Sequence, residues 1–239
     1  MEIKRNLDRI FGGLILDEST HTYYLKDKPL KSSVSGLIKN FYPKTDFSTK
    51  TKGTELRLNI SKEEVLKMWR VHNLEAITRG NRVHIFGENY PYNKTLIPSC
   101  PQELAVKKFW DDLPKHIILV GVEIRMYHKT YLFPGTMDIL LYDTIKNHYI
   151  IADYKTNKDL LKNFNGQKLY SPFSHLLDSP LNHYQIQLSF YQILLEQAGI
   201  HVGERKIIHL DLEGNYQMWD TEDLTSTLKT FLKKKYENI

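Results

Sequence analysis

The chain has 239 residues, 41% hydrophobic and 26% charged, with a formal net charge of +5, so it can bury a sizeable core without staples and mildly favours a polyanionic partner. Its one cysteine, Cys100, excludes an internal disulfide framework, a Cys-rich zinc site and an iron–sulfur cluster. No apolar run approaches the roughly 18 residues of a membrane span, and the start MEIKRNLDRIFGG carries charges without an apolar signal region, so an intracellular setting is expected.

Residues 14–31 read as a small hairpin, LILD and HTYYLKD around a turn. Ser33-Val-Ser35 starts a helix with a serine cap, and Phe41-Tyr-Pro43 ends it. Residues 43–60 are polar, rich in Lys and Thr, and read as a loop. Ser61-Lys-Glu-Glu64 is a capping box that leads a helix through Trp69. A further helix is expected from Leu74 to Tyr90, then a Pro/Asn linker from Pro91 to Pro101 and an amphipathic helix over 102–113. The second half changes character. Segments 116–124, 131–143 and 148–155 are rich in β-branched and aromatic residues and read as three strands. A long loop fills 156–180. Leu181 to Ala198 has apolar residues at helical spacing, with Gly199 as its stop. A strand over 205–212 and a last helix capped by Thr221 complete the chain.

Three of these strands carry an acidic residue in an apolar setting: Glu123 after LVGV, Asp138 in GTMDILL, Asp153 in YIIADYK. A buried carboxylate is costly unless it is paired or holds a cation. If Asp143 closes a hairpin opposite His148, then Asp138, five residues back, faces Asp153, five residues on. Directly opposite residues have Cβ atoms about 4.5–5.5 Å apart, and two carboxylates that close call for a cation between them. Lys155 lies two residues past Asp153, on the same face, while Tyr154 points the other way. Oxygen ligands without Cys or clustered His suit Mg²⁺, with Mn²⁺ as a substitute. Such an ion polarises a phosphodiester, and a nearby lysine can orient water or stabilise developing charge. The bland alternative is a salt-bridged hairpin in which Lys155 neutralises both aspartates.

Gly135-Thr-Met-Asp138 followed by Ile151-Ala-Asp153-Tyr-Lys155 resembles the split metal motif of PD-(D/E)XK nucleases, most of all the RecB-like exonuclease branch. Gly80-Asn-Arg-Val-His84 resembles that branch's upstream G-x-x-x-H motif, and Gln187-Leu-Ser-Phe-Tyr191 its Q-x-x-x-Y motif. Glu123 lies on the preceding strand, where the family often places another acidic ligand. The resemblance covers roughly residues 76–212. It implies an α/β fold of αβββαβ order with a mixed central sheet over 76–239, preceded by a mostly helical extension over 1–75. It also implies a metal shell of Asp138, Asp153, the Tyr154 carbonyl, Glu123 and His84, with Lys155 activating water and Gln187 and Tyr191 near DNA. The expected activity is Mg²⁺-dependent DNA hydrolysis, exonucleolytic in the first instance, with an endonuclease of the same superfamily or a non-catalytic DNA-binding subunit as alternatives. No GxxxxGK[ST] motif is present, so no nucleotide cofactor is expected.

Overall fold

Apolar strands flanked by amphipathic helices bury both faces of a sheet, and the computed structural model has that layered form. It describes residues 2–43, 47–163 and 166–237. Helix α1 (Glu2–Ile10) precedes strands β1 (Leu14–Asp17), β2 (Thr22–Leu25) and β3 (Lys28–Pro29), which form a small antiparallel sheet. Helices α2 (Val34–Ile38), α3 (Phe47–Leu58), α4 (Lys62–Asn89) and α5 (Pro101–Asp112) follow. The main sheet is built from β4 (Ile117–Tyr127), β5 (Pro134–Asp143), β6 (His148–Lys155), β7 (Val202–Leu210) and β8 (Tyr216–Asp220), in that spatial order. Helix α6 (Pro180–Glu196) crosses from β6 to β7, and α7 (Thr225–Glu237) ends the chain. All pairs are antiparallel except β6 with β7, so the fold is mixed α/β around a mixed five-stranded sheet.

The two faces of the sheet have separate cores. On one, Phe86 and Tyr90 of α4 and Phe109 and Trp110 of α5 pack on Ile139, Ile150, Ala152, Tyr154 and Ile208. On the other, α6 and α7 join Met126, Leu140, Ile151 and Ile207, together with Leu7, Phe11, Val34, Leu37 and Phe41 from the N-terminal part. The first forty residues therefore share a core with the sheet. Helix α4 starts with the expected capping box: Ser61 Oγ accepts from the Glu64 N–H, and Glu64 reaches back to the Ser61 N–H at 2.8 Å. Its 28 residues make a rod of about 42 Å. The division expected between residues 75 and 76 falls inside it.

Several expectations are corrected. The stretch 43–60 is not a loop: residues 47–58 form α3, while 44–46 lie outside the described residues. Lys, Glu, Leu and Arg are good helix formers, and α3 packs beside α4. The two helices expected over 61–90 are one, because nothing in Arg70 to Asn73 breaks a helix. Helix α1 and the edge strand β8 were not expected. Thr221 does not cap α7. It hydrogen-bonds the Arg205 carbonyl, and Asp223 accepts from the Thr225 N–H at 2.9 Å instead. The hairpin register holds as expected, with Asp143 opposite His148 and Ile139 opposite Ala152.

Two glycines fix how closely the helices approach the site strands. A Cβ at Gly87 would stand 2.4 Å from the Tyr154 ring, so glycine lets α4 lie against β6. A Cβ at Gly135 would strike Val34 at 2.8 Å and Tyr191 at 2.9 Å, where α2 and α6 close on β5.

Candidate metal centre

The register of β5 and β6 ends beside Asp138 and Asp153, and α4 brings His84 down onto them. One ligand atom from each of His84, Asp138 and Asp153 lies within 4.8 Å of the others. His84 Nδ1 is 2.9 Å from Asp138 Oδ2, which also accepts from the Tyr154 N–H at 3.3 Å. In a strand the N–H and C=O of one residue point to the same side, so the Tyr154 carbonyl faces this end of β5 as well. Its side chain lies on the opposite face, where Trp110 Nε1 donates to its hydroxyl at 2.6 Å. Lys155 Nζ is 2.7 Å from Asp153 Oδ2.

The electrostatics are those of two crowded, buried carboxylates with one cationic partner each. Asp153 is 1% exposed, and neither of its carboxylate oxygens, both shielded from solvent, accepts a well-formed hydrogen bond. Burial and the charge of Asp138 push its carboxyl well up. Asp138 goes the other way: burial opposes its ionisation, but the charge and hydrogen bond of His84 outweigh it. Burial likewise disfavours the His84 imidazolium, yet Asp138 and Asp153 raise it to about 9. Lys155 is held above its usual range by the two aspartates against the cost of burial. Thus His84 and Lys155 act as counter-charges to the pair.

Glu123 stands beside this group rather than within it. It lies between the pairs Val122–Ile139 and Ile124–Met137, across from Asp138. Burial and Asp138 raise its carboxyl to about 7. Its backbone is left-handed, with φ 48°, on a strand already bulged between Leu119 and Gly121. Strain of this kind in a non-glycine residue concentrates at functional positions.

Gln187 and Tyr191 both lie on α6, and they hydrogen-bond each other. Gln187 Nε2 donates to the Tyr191 hydroxyl at 2.9 Å. Tyr191 is buried, and burial followed by the charges of Asp153 and Asp138 raises its hydroxyl well above the usual range. The Lys155 ammonium sits 4.4 Å over the ring of Tyr184. The Tyr184 hydroxyl donates to Asn157 Oδ1, and His209 Nε2 meets the Asn157 carbonyl. This bracket around Lys155 was missed in the sequence. Its one signal was Tyr184 at the start of α6. On the other flank, the Tyr23 hydroxyl pairs with Thr136 Oγ1 at 2.8 Å and ties the N-terminal sheet to β5.

Two carboxylates and an imidazole, with a buried Asp153 Oδ1 that has no hydrogen-bond partner, form a donor set that fits a divalent cation. Compared with protein-family models and with curated proteins, the chain finds no match. No helix among the described residues is long and apolar enough to cross a membrane.

Proposed function

We propose that this protein is a metal-dependent phosphodiesterase. More particularly, it is read as a DNA exonuclease of the PD-(D/E)XK type and RecB-like branch, its αβββαβ core formed by α4 or α5, β4–β6, α6 and β7. The observation that carries this reading is the convergence of His84, Asp138 and Asp153, with Lys155 on Asp153. A salt-bridged hairpin would also pair Lys155 with Asp153, but it leaves the descent of His84 onto Asp138 unexplained.

In this reading Asp138, Asp153, His84 and the Tyr154 carbonyl hold Mg²⁺ or Mn²⁺, with Glu123 at the edge of the shell. The bound ion would supply Lewis-acid polarisation of a phosphodiester and acidify water. Lys155, kept as an ammonium by its aspartates, donates to the charge that develops on the phosphoryl oxygens and orients the attacking water. Tyr184 and Asn157 keep that ammonium in place. Gln187 and Tyr191 border the site and position the strand.

The test is to incubate the protein with end-labelled single- and double-stranded DNA in Mg²⁺ or EDTA. Mg²⁺-dependent release of short products from an end supports the exonuclease. Internal cuts move the reading to an endonuclease on the same site. DNA binding with no cleavage in Mg²⁺ or Mn²⁺ would leave a binding subunit.

A further inference from the structure

Resting on the nuclease reading, we infer that Arg79 anchors a backbone phosphate of the bound strand in a groove beside the metal centre. Two arginines on α4 make the contrast. Arg82 is spent within the fold, its Nε 3.2 Å from the buried carboxylate of Glu103. Arg79 has no ion pair among the described residues, and its Nε is shielded from solvent without a hydrogen-bond partner. The fold therefore leaves the Arg79 guanidinium without a charged partner of its own.

One groove that Arg79 lines, on its β6 side, measures about 390 Å³ and has His72, Thr156, Asn157, Lys158 and His209 around it. Thr156 to Lys158 directly continue β6 past Lys155. Their position is set by the residues that bracket Lys155, since Asn157 is held by both Tyr184 and His209. Helix α4 touches this segment, for a Cβ on Gly80 would be 3.9 Å from Thr156 Oγ1. The groove is therefore joined to the centre on both walls, by α4 through His84 and by the β6 extension through Lys155.

Its chemistry suits a phosphodiester: a free guanidinium, the exposed Lys158, and hydroxyl and amide donors. Asp211 also lines it, but that carboxylate is occupied by the N–H groups of Glu213 and Asn215 at 3.0 and 2.7 Å. The exposed Glu213 is the other carboxylate present. Arg79 touches no part of the centre itself, so it is a substrate-binding residue.

The experiment measures fluorescence anisotropy of a labelled DNA oligonucleotide, single-stranded and duplex, in EDTA across a KCl series. Arg79→Ala is expected to bind about tenfold more weakly, the loss of one charged hydrogen-bonding group. The slope of log Kobs against log[KCl] should shrink by about 0.7–0.9, the signature of one phosphate contact. Arg79→Lys should keep the slope while losing part of the affinity, because it retains the charge without the fork. Arg79→Met preserves the packing of the stem and should match alanine in both readouts, even if alanine lowers the melting temperature. Wild-type affinity and slope in both Arg79→Ala and Arg79→Met would overturn the inference. A wild-type protein that neither binds nor cuts DNA would overturn the nuclease reading instead.

Discussion

The two ends of the main sheet are both crowded with ionisable residues, yet they are built oppositely. At the hairpin end every carboxylate has its partners. Asp143 accepts the N–H groups of Ile145 and Lys146, at 2.8 and 2.9 Å. Glu204 is clasped by Lys146 and by Lys206, and hydrogen bonds from these two lysines lower its carboxyl to about 2. At the other end Asp138 and Asp153 crowd each other, Glu123 is raised to about 7 by burial and by Asp138, and Asp153, paired with Lys155 through Oδ2, keeps a buried Oδ1 without a partner. The number of charges is similar, so charge alone does not mark a site. What distinguishes the ends is whether the protein's own groups satisfy them. The hairpin end is complete in itself, whereas in the proposed reading a cation completes the carboxylate end.

The largest expected difference is in activity. Asp153→Ala or Lys155→Ala should lower cleavage on the order of 10³-fold or more with the fold retained. Glu204→Ala should leave turnover near wild type and lower the melting temperature, by roughly 2–4 °C for each kcal/mol lost. Cleavage assays and thermal melts on the three variants check this contrast.

The response to metal comes next. Mg²⁺ at about a hundred times its dissociation constant should stabilise the wild type by about 2.7 kcal/mol, and should do nothing for Asp153→Ala. In EDTA at alkaline pH, where Asp153 is ionised despite its raised carboxyl, Asp153→Asn should melt higher than wild type, because it removes the repulsion with Asp138. Differential scanning fluorimetry with and without Mg²⁺ reads both effects.

The ends should also answer pH with opposite signs. Glu123 is raised in the fold to about 7, so in EDTA its contribution is full below the ordinary glutamate value and is lost as pH rises towards 7. Glu204 is lowered to about 2, so its contribution is present above the ordinary value and is lost as pH falls towards 2. Melts of Glu123→Gln and Glu204→Gln across pH should each erase one limb. Mg²⁺ should flatten the Glu123 limb and leave the other untouched.

The smallest effect belongs to α6. Gln187→Ala should slow cleavage moderately with little change in melting temperature, since it removes a partly exposed amide bonded to Tyr191. Tyr191→Ala should cost stability as well, as loss of a buried aromatic side chain does. Paired kinetics and melts separate them.

Much of the site could be read in the sequence, because period-two spacing and hairpin closure are strong constraints. Placing Asp143 opposite His148 was enough to bring Asp138 and Asp153 together, and the fold keeps that register. The descent of His84 depended on the motif, since nothing local says which strand a helical histidine will meet. What stayed hidden depends on tertiary contact. Tyr184 beneath Lys155 joins α6 to β6, and Asn157 sits in a loop whose conformation comes from His209 and Tyr184. The left-handed backbone at Glu123 has no sequence mark. Helix α3 reads as polar loop because its apolar residues are few, and Leu56, 85% exposed, does not outline a buried stripe. Strand β8 escaped notice as a short edge strand with no central-strand pattern.

In the proposed reading the carboxylate end takes a divalent cation and the hairpin end does not. Calorimetric titration of Mn²⁺ into the wild type, Glu204→Gln and the double variant Asp138→Ala/Asp153→Ala tests it most directly. Saturable binding is expected for the wild type and for Glu204→Gln, and none for the double variant. Equal Mn²⁺ binding by all three proteins, or none by the wild type, would contradict it.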